Sequence, residues 1–259
     1  MGASRNENTP SARVAVITGG GRGLGQAYAV RLAQDGCDIA IADLQDTSET
    51  ADKIKQIGRR VISVQCDVSR PTDIEALADA CKSAYGRCDI LVNNAGVYPG
   101  KLFEEMTFED WRRVMSTNAD SLFLTAKAFV PGMKQAGWGR IISMASNSFG
   151  LIAAGLVHYV ASKGAVIGFT RALASELGPF GITVNAVAPG ITRTPGTVGS
   201  GKTPLGDVET VFRVTAEQQA IKRTANPSDI VGTVSFLASD DSAFMTGQTL
   251  VVDGGWWRP

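Results

Sequence analysis

Short apolar segments alternate with longer amphipathic segments along the chain from residue 13 onwards. The apolar segments are brief and rich in β-branched residues, a composition typical of strands buried on both faces of a parallel sheet. The predicted strands are Val14–Ile17, Ile39–Ala42, Val61–Val64, Ile90–Val92, Ile141–Ile142, Ile182–Val187 and Thr249–Val252. The amphipathic segments predict helices near residues 24–35, 47–57, 72–85, 108–136, 157–177 and 227–238, with Asp46, Thr72 and Ser228 as N-caps.

This alternation predicts an α/β fold. Right-handed crossovers place helices on both faces of the sheet, so we expect a doubly wound, Rossmann-type domain. A length of 259 residues suits one such domain, extending over 13–259 after a polar N-terminal arm at 1–12. The Gly- and Pro-rich segment 195–207 interrupts the pattern, and we expect a substrate lid at about 195–225.

Composition narrows the function classes. The chain has 25 Lys and Arg residues against 25 Asp and Glu residues, so neither nucleic acid nor an acidic membrane surface is an expected partner. The longest segment without these residue types, 141–162, contains Ser, Asn and His side chains that are costly in lipid, so we expect no membrane span. The four cysteines show no C-x-x-C spacing, which predicts free thiols and a cytoplasmic protein without a metal site.

The first predicted strand leads directly into a glycine-rich loop, Thr18-Gly19-Gly20-Gly21-Arg22-Gly23-Leu24-Gly25, and then into a helix. Glycines let the backbone approach a phosphate closely, and a helix N-terminus supplies free N–H groups and the positive end of its dipole. A glycine-rich loop alone also fits a plain tight turn. Its place between a strand and a helix favours a dinucleotide site that includes Gly19, Arg22, Gly23, Leu24 and Gly25.

Asp43 ends the second predicted strand, eighteen residues after Gly25. An acid at this place accepts hydrogen bonds from the adenosine ribose hydroxyls and repels a 2′-phosphate, so we expect NAD. Leu44 supports the same choice, because a basic residue is expected near this position when NADP is bound. Arg22 argues the other way, since its guanidinium could pair with a 2′-phosphate. NADP therefore remains the less favoured alternative.

Further motifs stand at matching places along the chain. They are Asp67 after the third strand, Asn93-Asn94-Ala95-Gly96 after the fourth, Ser146, Tyr159-x-x-x-Lys163 and Pro189-Gly190. Together with Thr18-Gly19-x-x-x-Gly23-x-Gly25, they resemble the short-chain dehydrogenase/reductase family over about residues 13–255.

Tyr159 and Lys163 are four residues apart in a predicted helix and therefore share one of its faces. An ammonium group there favours ionisation of the phenol, whose ordinary pKa is about 10, and so favours its use as a general base. A core tyrosine followed by a solvated lysine shows the same spacing. Ser146, thirteen residues upstream, argues against that interpretation because it fits the family spacing. His158, the one histidine, precedes Tyr159 and faces another side of the helix.

The resemblance implies a role for each of these side chains. Tyr159 exchanges the alcohol proton while hydride moves between the carbinol carbon and nicotinamide, Ser146 holds the substrate oxygen, and Lys163 binds the nicotinamide ribose. Asn118 is linked to Lys163 through a water-mediated proton relay, although a hydrogen bond at a helix kink also explains it. The other implied cofactor contacts are Asp67, Val68, Asn94, Ala95, Gly96, Pro189, Gly190, Thr192 and Thr194, and the implied substrate contacts are Tyr98, Ser146, Asn147, Phe149 and Tyr159.

The residues expected around the substrate are mostly apolar or aromatic, which suits a hydrophobic ketone or secondary alcohol. Segments 86–96 and 128–134 resemble family members that oxidise 1-phenylethanol, and 145–149 resembles members that oxidise pyridoxal, both with NAD. We therefore expect an NAD-dependent oxidoreductase for an aryl-alkyl or alicyclic secondary alcohol. An NADPH-dependent 3-oxoacyl-carrier-protein reductase is the enzymatic alternative. A non-catalytic dinucleotide-binding regulator is the alternative of another class.

The resemblance also implies a homotetramer that packs along the helices near 108–136 and 157–177. Near the C-terminus, Trp256 and Trp257 follow the last predicted strand. Two exposed indoles would form an unfavourable apolar patch, so we expect a neighbouring subunit to cover them.

Overall fold

A computed structural model describes residues 12–150, 154–199, 201–203 and 206–257 of the protein. The strands are β1 (Val14–Thr18), β2 (Asp38–Asp43), β3 (Val61–Gln65), β4 (Ile90–Asn93), β5 (Gly139–Met144), β6 (Ile182–Pro189), β7 (Lys202–Thr203), β8 (Gly206–Asp207) and β9 (Thr249–Val252). Seven of them form one parallel sheet in the order β3-β2-β1-β4-β5-β6-β9, and β7 pairs with β8 in a separate antiparallel hairpin. The predicted fold class, a single doubly wound α/β domain, is confirmed.

Helices connect the strands, as the amphipathic pattern predicts. They are α1 (Gly23–Gln34), α2 (Ser48–Gln56), α3 (Pro71–Tyr85), α4 (Phe108–Met115), α5 (Ser121–Ala136), α6 (Val157–Leu177), α7 (Pro195–Val198), α8 (Val208–Gln218) and α9 (Pro227–Ala238). A π-helical turn, Ser116–Asp120, joins α4 to α5. The segment predicted as helical near 108–136 is helical throughout, and the hydrogen-bond ladder widens for one turn inside it.

Alternate side chains of β1 enter opposite cores. Ala15 and Ile17 pack in the core that α1 and α9 cover, whereas Val14 and Val16 pack in the core that α3 and α5 cover. All of them are fully buried. Burying an aliphatic side chain of the size of valine or isoleucine contributes about 1.5–3 kcal/mol. A strand that is apolar on both faces therefore holds the two helical layers to the sheet.

The order of the strands determines where a ligand can bind. β1 pairs with β2 on one side and with β4 on the other. The loops that follow β1 and β4 therefore lead in opposite directions above the carboxyl edge of the sheet, and a crevice forms between them.

Proline decides where α3 and α9 begin. Pro71 and Pro227 are the first residues of these helices, so the predicted caps Thr72 and Ser228 lie inside the first turn and are wrong. Proline is favoured there because its fixed φ suits the helix and its missing N–H has no intrahelical partner to lose. Asp46 is also wrong as a cap, because α2 begins two residues later.

The segment predicted as a lid leaves and rejoins the domain at one point. Thr192 forms a parallel bridge with Ala225, and the Arg193 amide donates to the Ala225 carbonyl over 2.9 Å. Between these residues lie α7, the β7–β8 hairpin and α8, three features that the hydrophobic pattern does not predict. Movement of this segment as a lid remains a prediction. The predicted arm at 1–12 lies outside the described residues, except for Ala12.

Three further expectations concern the cysteine thiols, membrane-spanning helices and metal sites. All four cysteines are free, and burial raises the pKa of Cys37, Cys66 and Cys81 to about 11. Within the described ranges, no helix is long and apolar enough to cross a membrane. The same residues bring together no group of three His, Cys, Asp or Glu side chains that could hold a metal ion.

Candidate active site

A cleft of about 730 Å³ opens at the carboxyl edge of the sheet. Most of the site residues predicted from the sequence converge on it, and only Asn118 and Phe149 lie outside its walls. The predicted residues in the walls are Gly19, Arg22, Gly23, Leu24, Gly25, Asp43, Leu44, Asp67, Val68, Asn94, Ala95, Gly96, Tyr98, Ser146, Asn147, Tyr159, Lys163, Pro189, Gly190, Thr192 and Thr194. Their individual roles remain predictions.

The glycine-rich loop after β1 is shaped to receive a group close to its backbone. Gly19 has a φ of +64°, in the left-handed region that favours glycine. A Cβ on Gly25 would overlap the Gly19 carbonyl oxygen, so glycine is needed for α1 to approach the loop this closely. The first turn of α1 reads Gly-Leu-Gly-Gln and presents backbone N–H groups without an acidic side chain. This cradle fits the diphosphate of a dinucleotide.

Asn94 fixes this loop to the end of β4. Its Nδ2 donates to the carbonyl oxygens of Thr18 and Gly19 over 3.0 and 2.9 Å. In return, the Thr18 hydroxyl accepts the amides of Asn94 and Ala95 over 3.0 and 3.1 Å. The ends of β1 and β4 thereby form one connected rim of the cleft.

The Asp43 carboxylate lies at the end of β2, in the wall of the cleft. Its Oδ2 accepts the Gly21 amide over 2.9 Å, and its Oδ1 accepts the Gln45 amide over 3.0 Å. Each oxygen retains acceptor capacity for a ligand. The adjacent Leu44 is 60% exposed and lines the same part of the cleft.

Arg22 is exposed in the glycine-rich loop, and its guanidinium interacts electrostatically with the Tyr98 phenol. Burial raises the pKa of the Tyr98 phenol, and the positive charge of Arg22 opposes that shift. At the far wall, the Asp67 carboxylate accepts the amide and the hydroxyl of Ser69 over 3.0 and 2.7 Å. Val68 is buried next to it.

Helix α6 brings Tyr159 and Lys163 to the cleft together, as their spacing predicts. Burial raises the pKa of the Tyr159 phenol, and a hydrogen bond with Ser146 opposes that shift. Tyr98 packs edge-on against the Tyr159 ring, with the ring centres 6.2 Å apart and the planes at 68°. The Ser146 hydroxyl also accepts the Ser148 amide over 3.2 Å, which helps to fix its position.

Lys163 is buried, and its Nζ lies 5.7 Å from the centre of the Tyr159 ring. This Nζ donates to the Met144 carbonyl oxygen, at the end of β5, over 2.7 Å. Burial lowers the pKa of Lys163 to about 8, because the charged form loses hydration. The expectation that this ammonium lowers the Tyr159 pKa is not met in this structure, because burial raises that pKa and it is the hydrogen bond with Ser146 that opposes the rise.

Asn118 lies behind the cleft, in the π-helical turn, where it is only 2% exposed. Its Oδ1 accepts the Val97 amide and its Nδ2 donates to the Val97 carbonyl, both over 2.8 Å. The Nδ2 also donates to the Ser162 hydroxyl over 3.0 Å. π-Helical turns are frequent at functional sites, and this one directs an amide to the loop after β4. The proton relay to Lys163 remains a prediction.

Phe149 is a correction to the predicted substrate contacts, because its side chain lies outside the cleft walls. It is half-exposed and packs edge-on against Trp257, with ring centres 6.5 Å apart. Residues Asn147–Gly150 form a 3₁₀ turn. Since such a turn has three residues per revolution, Asn147 faces the cleft while Phe149 points elsewhere.

Further residues line the cleft besides the site residues predicted one by one from the sequence. Ser148 is buried, and its Oγ finds no hydrogen-bond partner among the described residues. Arg113 and Thr117 reach the cleft from α4 and the π-helical turn, and Trp256 reaches it from the C-terminal segment. No local pattern marks Trp256, because tertiary contacts place it.

His158 has no place in the cleft walls. It is fully buried, and its Nδ1 accepts the Tyr159 amide over 2.9 Å. This agrees with the expectation that it faces another side of α6.

Comparisons with known proteins agree with this geometry. A family model described as "Enoyl-(Acyl carrier protein) reductase" matches residues 19–257. The chain is 37% identical over 245 residues to the (2S)-[(R)-hydroxy(phenyl)methyl]succinyl-CoA dehydrogenase subunit BbsD of Thauera aromatica, covering 94% of this chain and 96% of that one. It is also 37% identical over 245 residues to the 3-oxoacyl-[acyl-carrier-protein] reductase FabG of Vibrio cholerae, covering 95% and 97%.

Solved structures share the fold. A short-chain type dehydrogenase/reductase from Mycobacterium marinum superposes with a TM-score of 0.88 at 32% identity, covering 96% of this chain and 97% of that one.

Proposed function

The chain belongs to the short-chain dehydrogenase/reductase family of oxidoreductases, and we propose that it uses NAD to interconvert a hydrophobic secondary alcohol and its ketone. The substrate class proposed is an aryl-alkyl or alicyclic alcohol. The name of the Thauera aromatica relative specifies a hydroxy(phenyl)methyl group, which is an aryl carbinol. That relative supports the aryl part of the proposal.

The glycine-rich loop after β1, Asp43 and Lys163 would hold the cofactor, which when bound would supply the hydride chemistry of the reaction. The Tyr159 phenolate removes the alcohol proton, and the neutral phenol returns it in the reverse direction. Ser146, already hydrogen-bonded with Tyr159, holds the substrate oxygen beside that phenol. Ser146 and Tyr159 together hold the substrate oxygen within hydrogen-bond distance of the phenolic oxygen, so the proton moves directly between these two oxygens.

Lys163 has two parts in the proposal. Its buried ammonium group would bind the hydroxyls of the nicotinamide ribose, and its positive charge favours the phenolate form of Tyr159. The pKa of Lys163 near 8 allows it to be charged at neutral pH. The Nζ donates to the Met144 carbonyl and lies 5.7 Å from the centre of the Tyr159 ring, so its charge acts on the phenolate across that distance.

The observation that carries the choice of cofactor is the Asp43 carboxylate. It is held by the Gly21 and Gln45 amides in the cleft wall, where it can accept the adenosine ribose hydroxyls. A 2′-phosphate there would meet a fixed negative charge and the apolar Leu44. We therefore propose NAD.

The second candidate is an NADPH-dependent 3-oxoacyl-carrier-protein reductase. It is favoured by the cation of Arg22 in the cleft wall and by the similarity to a Vibrio cholerae protein of that name. Initial rates separate the two. Oxidation of 1-phenylethanol or cyclohexanol with NAD supports the first proposal, whereas activity restricted to NADPH and a 3-oxoacyl thioester overturns it.

We also propose a homotetramer that packs along α4, α5 and α6. Large apolar side chains stand exposed on these helices, including Phe108 and Phe123, which are 71% and 56% exposed. Burying them against a second copy removes this surface from water. A monomeric mass by light scattering contradicts this arrangement. The C-terminal indoles are not needed for it, because Trp256 and Trp257 are half-buried against their own chain.

A further inference from the structure

The C-terminal segment is tied to the cleft by one buried carboxylate. Asp253 is 5% exposed, and its two oxygens accept four hydrogen bonds. Oδ1 accepts the amides of Gly255 and Trp256 over 3.0 and 3.1 Å. Oδ2 accepts the amide of Trp257 over 2.8 Å and the side-chain Nδ2 of Asn147 over 3.2 Å. The carboxylate thus folds the segment into a turn and joins it to the residue after Ser146.

This turn lies directly on the loop after β6. A Cβ on Gly190 would come within 2.9 Å of the Asp253 Cβ, so glycine is required where the two segments cross. On the other side, the Ile221 amide donates to the Gly254 carbonyl over 2.9 Å, which attaches the turn to the end of the lid segment. The turn is therefore held between the Ser146 loop, the Gly190 loop and the lid.

The two indoles that follow have different surroundings. Trp257 packs against Phe149 and over Gly150, outside the cleft. Trp256 lines the cleft itself. Because Asp253 contacts Asn147 and Gly190, this indole belongs to the Ser146 end of the cleft and not to the Asp43 end.

We propose that Trp256 contacts the substrate and determines its specificity, and that Asp253 is the positioning residue that holds this indole in place. The ligand group expected against it is a flat apolar ring on the carbinol carbon, since an indole offers a large rigid face to such a group. The inference rests on the proposed function, because it assigns a substrate group to the same cleft.

The test compares two alcohols, 1-phenylethanol and 2-propanol, with NAD and the full-length protein. Trp256→Ala is expected to lower kcat/KM for 1-phenylethanol relative to 2-propanol by about tenfold or more, as removal of a pocket wall weakens only the larger substrate. Trp256→Phe retains an aromatic wall and is expected to keep most of the ratio. The KM for NAD should stay unchanged in both.

The matched control is Trp138→Ala. Trp138 packs between the guanidinium groups of Arg13 and Arg140, 4.0 and 4.3 Å from its ring centre, just before the amino end of β5. It lies at the edge of the sheet opposite the cleft, so this variant should leave the substrate ratio unchanged. A general effect of losing an indole is thereby separated from an effect at the cleft.

Asp253→Asn tests the positioning role. The amide keeps the size of the side chain but replaces one acceptor oxygen with a donor that faces N–H groups. We expect a higher KM for 1-phenylethanol, with little change for 2-propanol or NAD. A merely structural role would instead lower turnover of both alcohols together with the melting temperature.

The negative results have different meanings. If the wild-type protein oxidises both alcohols and Trp256→Ala leaves their ratio within twofold, the inference is overturned and the proposed function stands. If the wild type oxidises neither 1-phenylethanol nor cyclohexanol with NAD, the proposed function fails, and the inference fails with it; if it oxidises cyclohexanol alone, the proposed function stands and the inference is overturned.

Discussion

Replacing Asp43 with asparagine is the sharpest test of the cofactor site. The change removes one negative charge and retains the shape of the side chain. The single side-chain oxygen of asparagine can still accept the hydrogen bond from the Gly21 backbone N–H that Oδ2 of Asp43 accepts over 2.9 Å. What is lost is the second acceptor and the charge that strengthens the bonds to ribose hydroxyls.

The expected size of the effect follows from these contacts. Hydrogen bonds to a charged group contribute about 1.5–3 kcal/mol, so a loss of about 2 kcal/mol lowers kcat/KM for NAD roughly 30-fold. For NADP, two unit charges about 5 Å apart interact by about 3 kcal/mol at an effective dielectric constant of about 20. Solvent screens part of this at a half-buried carboxylate, so relief of about 1.4 kcal/mol raises kcat/KM for NADP roughly tenfold. The NAD-to-NADP ratio should therefore fall by roughly 300-fold.

The assay is initial-rate oxidation of one alcohol over a range of NAD and NADP concentrations. Asp46→Asn is the matched control, since it removes the same charge from a neighbouring residue outside the cleft walls. A melting temperature for each variant separates cofactor preference from folding. A ratio that stays the same in Asp43→Asn, with an unchanged melting temperature, would refute the argument that this carboxylate selects the cofactor.

Three further predictions concern catalysis, burial and the cradle. Tyr159→Phe should lose nearly all turnover and keep its cofactor affinity, because only the phenolic oxygen is removed; unchanged activity in rate assays, or a fall in affinity in a cofactor titration, contradicts this. Lys163→Met should raise the free energy of unfolding at pH 7 by up to about 3 kcal/mol, because the unfolded lysine titrates near 10.5 and the folded one near 8. Below pH 8 Lys163 is protonated in both the folded and the unfolded protein, so the full cost of burying its charge applies, and this cost falls as the pH rises toward 10.5. If urea unfolding gives Lys163→Met the same gain in free energy of unfolding at pH 7 and at pH 10, the prediction is wrong. Gly25→Ala should abolish cofactor binding, because its Cβ meets the Gly19 carbonyl, whereas Gly168→Ala, with nothing within 4 Å of its Cβ, should bind NAD normally by fluorescence titration.

The parts of the fold and site that sequence predicts are those with a local physical cause. The strands follow from continuous apolar runs, and the cleft residues follow from where those strands end. Tyr159 and Lys163 reach one face because the α-helix has 3.6 residues per turn. These features need no knowledge of distant parts of the chain.

The errors arise where the outcome depends on backbone detail or on distant contacts. The 3₁₀ turn that directs Phe149 away from the cleft and the π-helical turn around Asn118 both alter the helical period. The pKa of Tyr159 depends on burial by several elements, which a spacing of four residues does not report. The Trp256 amide donates to Asp253, and the turn around Asp253 is held by Asn147 and by Ile221, which lie in two distant segments of the chain.

The pairing of Thr192 with Ala225 has a consequence for how such an enzyme can change over evolution. Because the chain departs and returns at adjacent points, the two ends of the segment between them are fixed to each other by this bridge. Doubling the length of a flexible loop costs only about 0.6 kcal/mol in closure entropy, so insertions there are tolerated. The segment between Thr192 and Ala225 can thus change in length and sequence while the strands, the glycine-rich loop and the Tyr159 helix stay the same.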